Sequence, residues 1–231
     1  MDLNNILSPE WIDNLTIAKD SFLPMVKTAL IGTIPLTIIT FVVGIVLAFI
    51  TALFRLSGNK FLNGVAKFYV SIIRGTPLLV QLFIIFYGLP SIHVTISPYI
   101  SAIIGFSLSV GAYASEIIRG SIQSIDKGQW EAANSIGMTY NQTLKRIIIP
   151  QAARVSLPPL SNTFISLVKD TSLASLILVT EMFRTAQEIA ATNYKFLVVY
   201  IEAAFIYWII CFFLSIIQGR LEARVARYVA K

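Results

Sequence analysis

The stretch DKGQWEAANSIGMTYNQTLKRIIIPQAARV, Asp126 to Val155, is a mostly polar island in a chain of 231 residues, 56% of which are hydrophobic. Its local signals describe two short helices. Asp126 followed three residues later by Gln129 is a capping-box-like start, and Gly137 offers the left-handed stop that such a helix wants. Thr139 and Gln142 repeat the start signal, and Pro150 marks the second end. The spacing thus predicts a helix-turn-helix over about 126–150. Trp130, Ala133 and Ile136 fall on one helical face, with Glu131 and Asn134 on another, so the element is amphipathic. Two uses fit such an element: rest on lipid headgroups, or docking of a partner.

Working outward, a mean hydropathy of +0.75 and a charged fraction of 13% give more apolar surface than a soluble fold of this length buries. The fold class expected is all-α, a single polytopic membrane domain over residues 1–231. The one cysteine, Cys211, lies in an apolar run and reads as a packing thiol; it excludes an intrachain disulfide and a thiolate metal cluster. The first twenty residues carry acids where a secretory signal is basic, so no removable targeting peptide is expected.

Five spans follow from the uncharged runs, each close to the ~20 helical residues that cross a bilayer core. They are expected at about 28–54, 68–89, 99–118, 156–180 and 196–218, the second and third being separated by the proline-rich GLPSIHVTISPY. Lysine and arginine then set the orientation, because basic residues in short loops stay in the cytoplasm. Twelve of them fall on one side and four (Lys19, Lys27, Arg184 and Lys195) on the other. The N-terminus is expected outside, with the C-terminus and the polar island inside. This asymmetry accounts for most of the net charge of +6, and no basic patch interleaved with aromatics suggests a nucleic-acid groove.

The run EAANSIGMTYNQTLKRIIIP resembles the EAA signature of ATP-binding-cassette (ABC) importer permeases through Glu131, Ala132, Ala133, Gly137 and Pro150, departing from it at Ile149, where that family usually has leucine. RGTPLLVQLFIIFYGLP (74–90) and PQAARVSLPPLSNTFISLVKDTSLAS (150–175) extend the resemblance over nearly the whole chain. They are similar to the polar-amino-acid branch of those permeases, and within it to the subunits that carry L-cystine. The resemblance implies a type I importer transmembrane domain in a bacterial cell membrane. It implies a second permease subunit, identical or related, two ABC ATPase subunits and an extracytoplasmic substrate-binding protein. Residues 126–150 would then be coupling helices that seat in the ATPase. The chain has no G-x-x-x-x-G-K-[ST] phosphate loop, so it is not expected to be an enzyme or to hold a cofactor, and ATP would be bound by the partner ATPase.

Charges inside spans are candidates for function, since each costs about 2.5 to 3.5 kcal/mol on insertion scales. Lys169 and Asp170 lie in the fourth expected span and point about 100° apart. Asp170, with Thr171 and Ser172, either lines the path of an α-amino group, or Lys169 and Asp170 pair with neighbouring helices. Glu116 pairs with Arg119 three residues on, or else meets Lys169. Arg74 opens RGTP, where proline and glycine should kink the helix into a gate; alternatively its side chain snorkels to the cytoplasmic interface. Glu202 ranks below these as a charge for a dimer partner to satisfy. The small residues Gly105, Ser107, Ser109, Gly111, Ala112, Ala114 and Ser115 read as close helix packing, and His93 as a solvated loop residue. An ion- or proton-coupled secondary transporter is the rival class, and it lacks the internal repeat that such a fold uses. An intramembrane enzyme lacks a catalytic motif.

Overall fold

The structure, a computed structural model, describes residues 9–229, and the side chains of residues 10–224. Among these residues every regular element is a helix. α1 (Pro9–Thr28) runs through a π-turn at Ala29–Thr33 into α2 (Ile34–Leu56). Together they form one 47-residue helix from Glu10 to Leu56 whose later half is strongly apolar, about 70 Å at 1.5 Å per residue, more than twice what a bilayer core needs. Helix therefore begins well before the expected residue 28. Its N-terminal part is ordered by a stripe at four-residue spacing, Ile17, Ser21, Met25 and Ala29, which packs on later helices.

α3 (Lys60–Gly75) starts on an Asn59 side-chain cap. It is bent by 104° from the following Leu78–Ile92 segment, which comprises α4 (Leu78–Phe83), a π-turn at Ile84–Gly88 and a short 3-10 turn. The second expected span, 68–89, is thus split at Thr76 and Pro77. Phe61, Val65, Phe68 and Ile72 form an exposed apolar stripe on α3, and Lys60, Lys67 and Arg74 recur every seven residues along it. That is the pattern of a helix lying along a membrane interface.

α5 (Pro98–Gln123) crosses α2 closely. Gly44 makes the approach possible, because a Cβ there would lie 2.6 Å from Val110 Cβ. Ser107 donates to Thr40 O at 3.2 Å across the same contact. Of the small residues expected to pack, Ser109 instead lines a cavity.

α6 (Lys127–Ser135) and α7 (Tyr140–Thr143) form the polar island. α7 runs through a π-turn at Leu144–Ile148 into α8 (Ile149–Asp170). Pro150 therefore sits one residue inside α8 and ends nothing, a correction to the sequence expectation. The physical reason recurs along the chain. The π-turns end at Thr33, Gly88 and Ile148, each two residues before a proline. A proline ring clashes with the i−4 carbonyl and has no N–H to bond it. Widening the preceding turn, with Ile34, Leu89 and Ile149 N–H donating five residues back, lets the helix continue.

After Asp170 the chain tightens into a 3-10 segment, Thr171–Ile177, and turns at Leu178 with φ +65°. α9 (Met182–Asn193), bent by 52° from the preceding helix, was not expected. α10 (Phe196–Val229) closes the fold. Among the described residues three helices are long and apolar enough to cross a membrane, or up to five elements if each bent pair counts as one span. Besides a small cluster of Ile122, Ile148 and Ala152, two larger hydrophobic bodies result among the described residues. One gathers Leu36, Leu82, Phe106, Val110, Leu167 and Ile177 from α2, α4, α5, α8 and the 3-10 segment. The other gathers Met25, Met182, Ala186, Ala190, Val199 and Ala203 from α1, α9 and α10.

Candidate functional site

A cavity of about 460 Å³ opens between α4, α5 and α8. Asn162, Ser166 and Asp170 enter it from successive turns of α8, and Ser109 and Tyr113 from successive turns of α5; Leu78 and Leu173 supply apolar wall. Asp170 is half-buried and belongs to no ion pair among the described residues. One carboxylate framed by an amide, hydroxyls and a phenol can hold a cationic group while discriminating its substituents by hydrogen bonding.

Lys169, the neighbour of Asp170, faces away from this cavity. It opens on a separate cleft of about 580 Å³ with Ser172, Trp208 and Cys211. Thr171 is fully buried and donates to Val168 O at 2.7 Å, while Ser172 donates to Lys169 O at 2.7 Å. Both hydroxyls donate to backbone carbonyls and neither lines the cavity, so the expected cluster of 169 to 172 divides, with Asp170 alone on the cavity.

Glu116 is held by Arg119 (Nη2 to Oε2, 2.8 Å) and by Arg55 across the helix contact (Nε to Oε1, 3.3 Å). Its partners are therefore these two arginines and not Lys169. Arg74 places its guanidinium 5.2 Å from the ring centre of Tyr113, on the cavity wall. The break that follows Arg74 is pinned by Gln81, whose Nε2 donates to Ile73 O at 2.9 Å and to Thr76 O at 3.1 Å. Ile73 O is the carbonyl that Pro77, lacking an N–H, leaves without its helical donor. Glu202 accepts from Ser21 Oγ within the same chain, so no second subunit is needed to satisfy it. His93 ends its 3-10 turn at φ +64° and is exposed.

At the other end of the fold, Asp126 caps α6 by accepting from Gly128 N at 2.6 Å. The reciprocal half of that box is absent: the Gln129 side chain accepts from Gln151 Nε2 at 3.1 Å instead, tying α6 to the start of α8. Thr139 and Gln142 do form a complete capping box. Gly137 turns between the helices at φ +78°, and Trp130 stacks on Tyr140 at 5.5 Å. Ala133 is buried and Glu131 exposed, whereas Ile136, expected on the same face as Ala133, is 75% exposed. Glu131, Asn134 and Tyr140 border a shallow hollow of about 300 Å³, with Ala132 exposed beside them and Pro150 at the α8 start.

Tyr113, Asn162, Ser166 and Gln81 do not stand out in the sequence, because neutral polar residues in a span resemble packing. The recoverable signal was the 162, 166, 170 stripe. Nor does Glu181 stand out, fully buried one residue beyond the expected end of the fourth span.

A multi-helix membrane bundle folded around a polar cavity is the architecture of a transport permease. The chain belongs to the family of binding-protein-dependent transport system inner membrane components, whose family model matches residues 44–227. It is 63% identical over 216 residues to the L-cystine transport system permease protein TcyB of Bacillus subtilis (strain 168), covering 93% of this chain and 92% of that one. A crystal structure of an amino acid ABC transporter with histidines superposes with a TM-score of 0.81 at 36% identity, covering 88% of this chain and 98% of that one. An inward-facing structure of the MetNI methionine ABC transporter, at 17% identity and TM-score 0.67 over 95% of this chain and 99% of that one, shares the fold. The fold is that of a type I ABC importer transmembrane domain.

Proposed function

We infer that the chain is the transmembrane subunit of an ATP-driven amino acid importer and that its substrate is L-cystine. The observation that carries the reading is the 63% identity to a cystine permease across nearly the full length of both chains, joined to a cavity whose one acid is Asp170. Asp170 receives an α-ammonium group, and Asn162, Ser166 and Tyr113 supply hydrogen-bonding groups for the rest of the amino acid. Arg74, stacked on Tyr113, and the Arg55, Glu116 and Arg119 cluster hold the inner end of the path.

The N-terminus faces outside and the C-terminus the cytoplasm, which places α6 and α7 where an ABC ATPase subunit docks. Exposed Ile136, Tyr140, Glu131 and Ala132 form the contact, and the Gln129 to Gln151 bond carries displacement of α6 into α8, the helix that bears Asp170. ATP is bound and hydrolysed by that partner. An extracytoplasmic binding protein delivers the amino acid, and a second permease subunit completes the pathway. The five span elements occupy one transmembrane domain, with 126–150 as its coupling segment.

The test is uptake of labelled cystine in proteoliposomes containing this chain, its ATPase and its binding protein, with lysine, glutamine and histidine as competitors. Cystine-stimulated hydrolysis together with uptake is the expected result. Coupling to another amino acid removes the cystine assignment, and ATP-independent uptake removes the importer assignment.

A further inference from the structure

Glu181 is an acid that the transport path does not use, and it is fully buried. Three elements converge on it. Its Oε1 accepts from Arg184 N at 2.7 Å, capping α9; its Oε2 accepts from Tyr207 Oη of α10 at 3.0 Å and from Thr33 Oγ1 of the first π-turn at 3.4 Å. Thr33 Oγ1 in turn accepts from Met182 N at 3.1 Å. The contact is also backbone to backbone, since a Cβ on Gly32 would lie 2.8 Å from Thr180 O. Capping alone calls for a short Ser, Thr, Asp or Asn at an exposed end. A carboxylate carried into the interior costs several kcal/mol unless its oxygens are bonded throughout, so the added reach to Thr33 and Tyr207 is what distinguishes this residue from a cap.

The knot sits where the two hydrophobic bodies meet. Ten residues, 171–180, separate it from Asp170, and they hold the 3-10 segment and the Leu178 turn. On its other side lies α9, whose Arg184 and Glu188 form a surface ion pair. We propose that Glu181 is a positioning residue for transport: by binding α9, the π-turn and α10 together, it makes the outer helix and the segment bearing Asp170 move as one piece. Binding-protein engagement at the outer face then reaches the cavity. The proposal rests on the importer and orientation reading above.

Tyr207→Phe removes one donor to Glu181 and leaves both the bond from Arg184 N and the bond from Met182 N intact, so it separates positioning from capping; Thr33→Val removes the other donor and, with it, the acceptor of Met182 N. Glu181→Gln keeps the size and one acceptor. The measurement is ATP hydrolysis by the reconstituted complex with and without amino-acid-loaded binding protein, at matched membrane levels. Loss of one bond to a buried charge should cut the stimulated rate about tenfold in Thr33→Val and Tyr207→Phe, with basal hydrolysis unchanged and Glu181→Gln less affected. Wild-type stimulation in all three variants, or basal and stimulated rates falling in proportion, overturns the proposal. A wild-type complex that no loaded binding protein stimulates overturns the importer reading instead.

Discussion

At the scale of single residues, the division between Lys169 and Asp170 is the most informative feature. Adjacent on one helix, they open on different hollows, as a 100° step requires. Asp170→Asn keeps the shape of the cavity and removes its charge. A bond from a cationic group to a carboxylate is worth about 1.5 to 3 kcal/mol, so uptake at low substrate should fall roughly ten- to hundredfold. Membrane level and basal ATP hydrolysis should stay at wild-type values. Uptake unchanged under those conditions would remove Asp170 from the path. Charge made Asp170 legible in the sequence, because an acid in an apolar run stands out. Its companions did not stand out: Asn162 and Ser166 are neutral, and only their four-residue spacing, read on the folded helix, brings them to the same wall.

At the scale of elements, proline shows what local signals do and do not settle. RGTP was legible as a break, and the chain does bend by 104° there. PQAARV reads as a stop, yet Pro150 is followed by twenty helical residues. The difference lies in what each proline's orphaned carbonyl finds. Gln81 bonds the one before Pro77 and fixes the bend, while a π-turn before Pro150 absorbs the mismatch and the helix runs on. Neither outcome is written in the proline itself. Gly137 is the opposite case, since a glycine at the end of a short amphipathic helix announces its left-handed turn, and the observed φ is +78°. Valine there costs about 1 to 2 kcal/mol in backbone strain and tilts α6 against α7. Gly137→Val should therefore raise the ATP hydrolysed per amino acid transported, measured in the same proteoliposomes. Gly137→Asn, which tolerates that conformation, should remain close to wild type, and equal coupling in the two variants would count against the turn as part of the docking element.

At the scale of the whole molecule, length and charge bear on the same question, which is how the bundle sits in the bilayer. The first helix is about 70 Å long and the last, at 34 residues, about 50 Å, so both must project beyond a core of ~30 Å. The last helix carries Arg220 and Arg224 beyond its apolar stretch, and basic residues beside a span are retained in the cytoplasm. The first helix projects at its other end, where Asp13 pairs with Lys195 at the start of α10 at 3.2 Å, and few basic residues lie on that face. Both projections and the bias in lysine and arginine therefore favour one orientation. Cysteine accessibility measures it directly: with Cys211 replaced by serine, Ser91→Cys lies in the exposed turn before α5, and Ser135→Cys at the exposed end of α6. In intact cells a membrane-impermeant maleimide should label position 91 and reach position 135 only after permeabilisation. The reverse pattern would invert the molecule, put α6 and α7 outside where no ATPase can reach them, and so separate the polar island from the role its spacing and exposed face support.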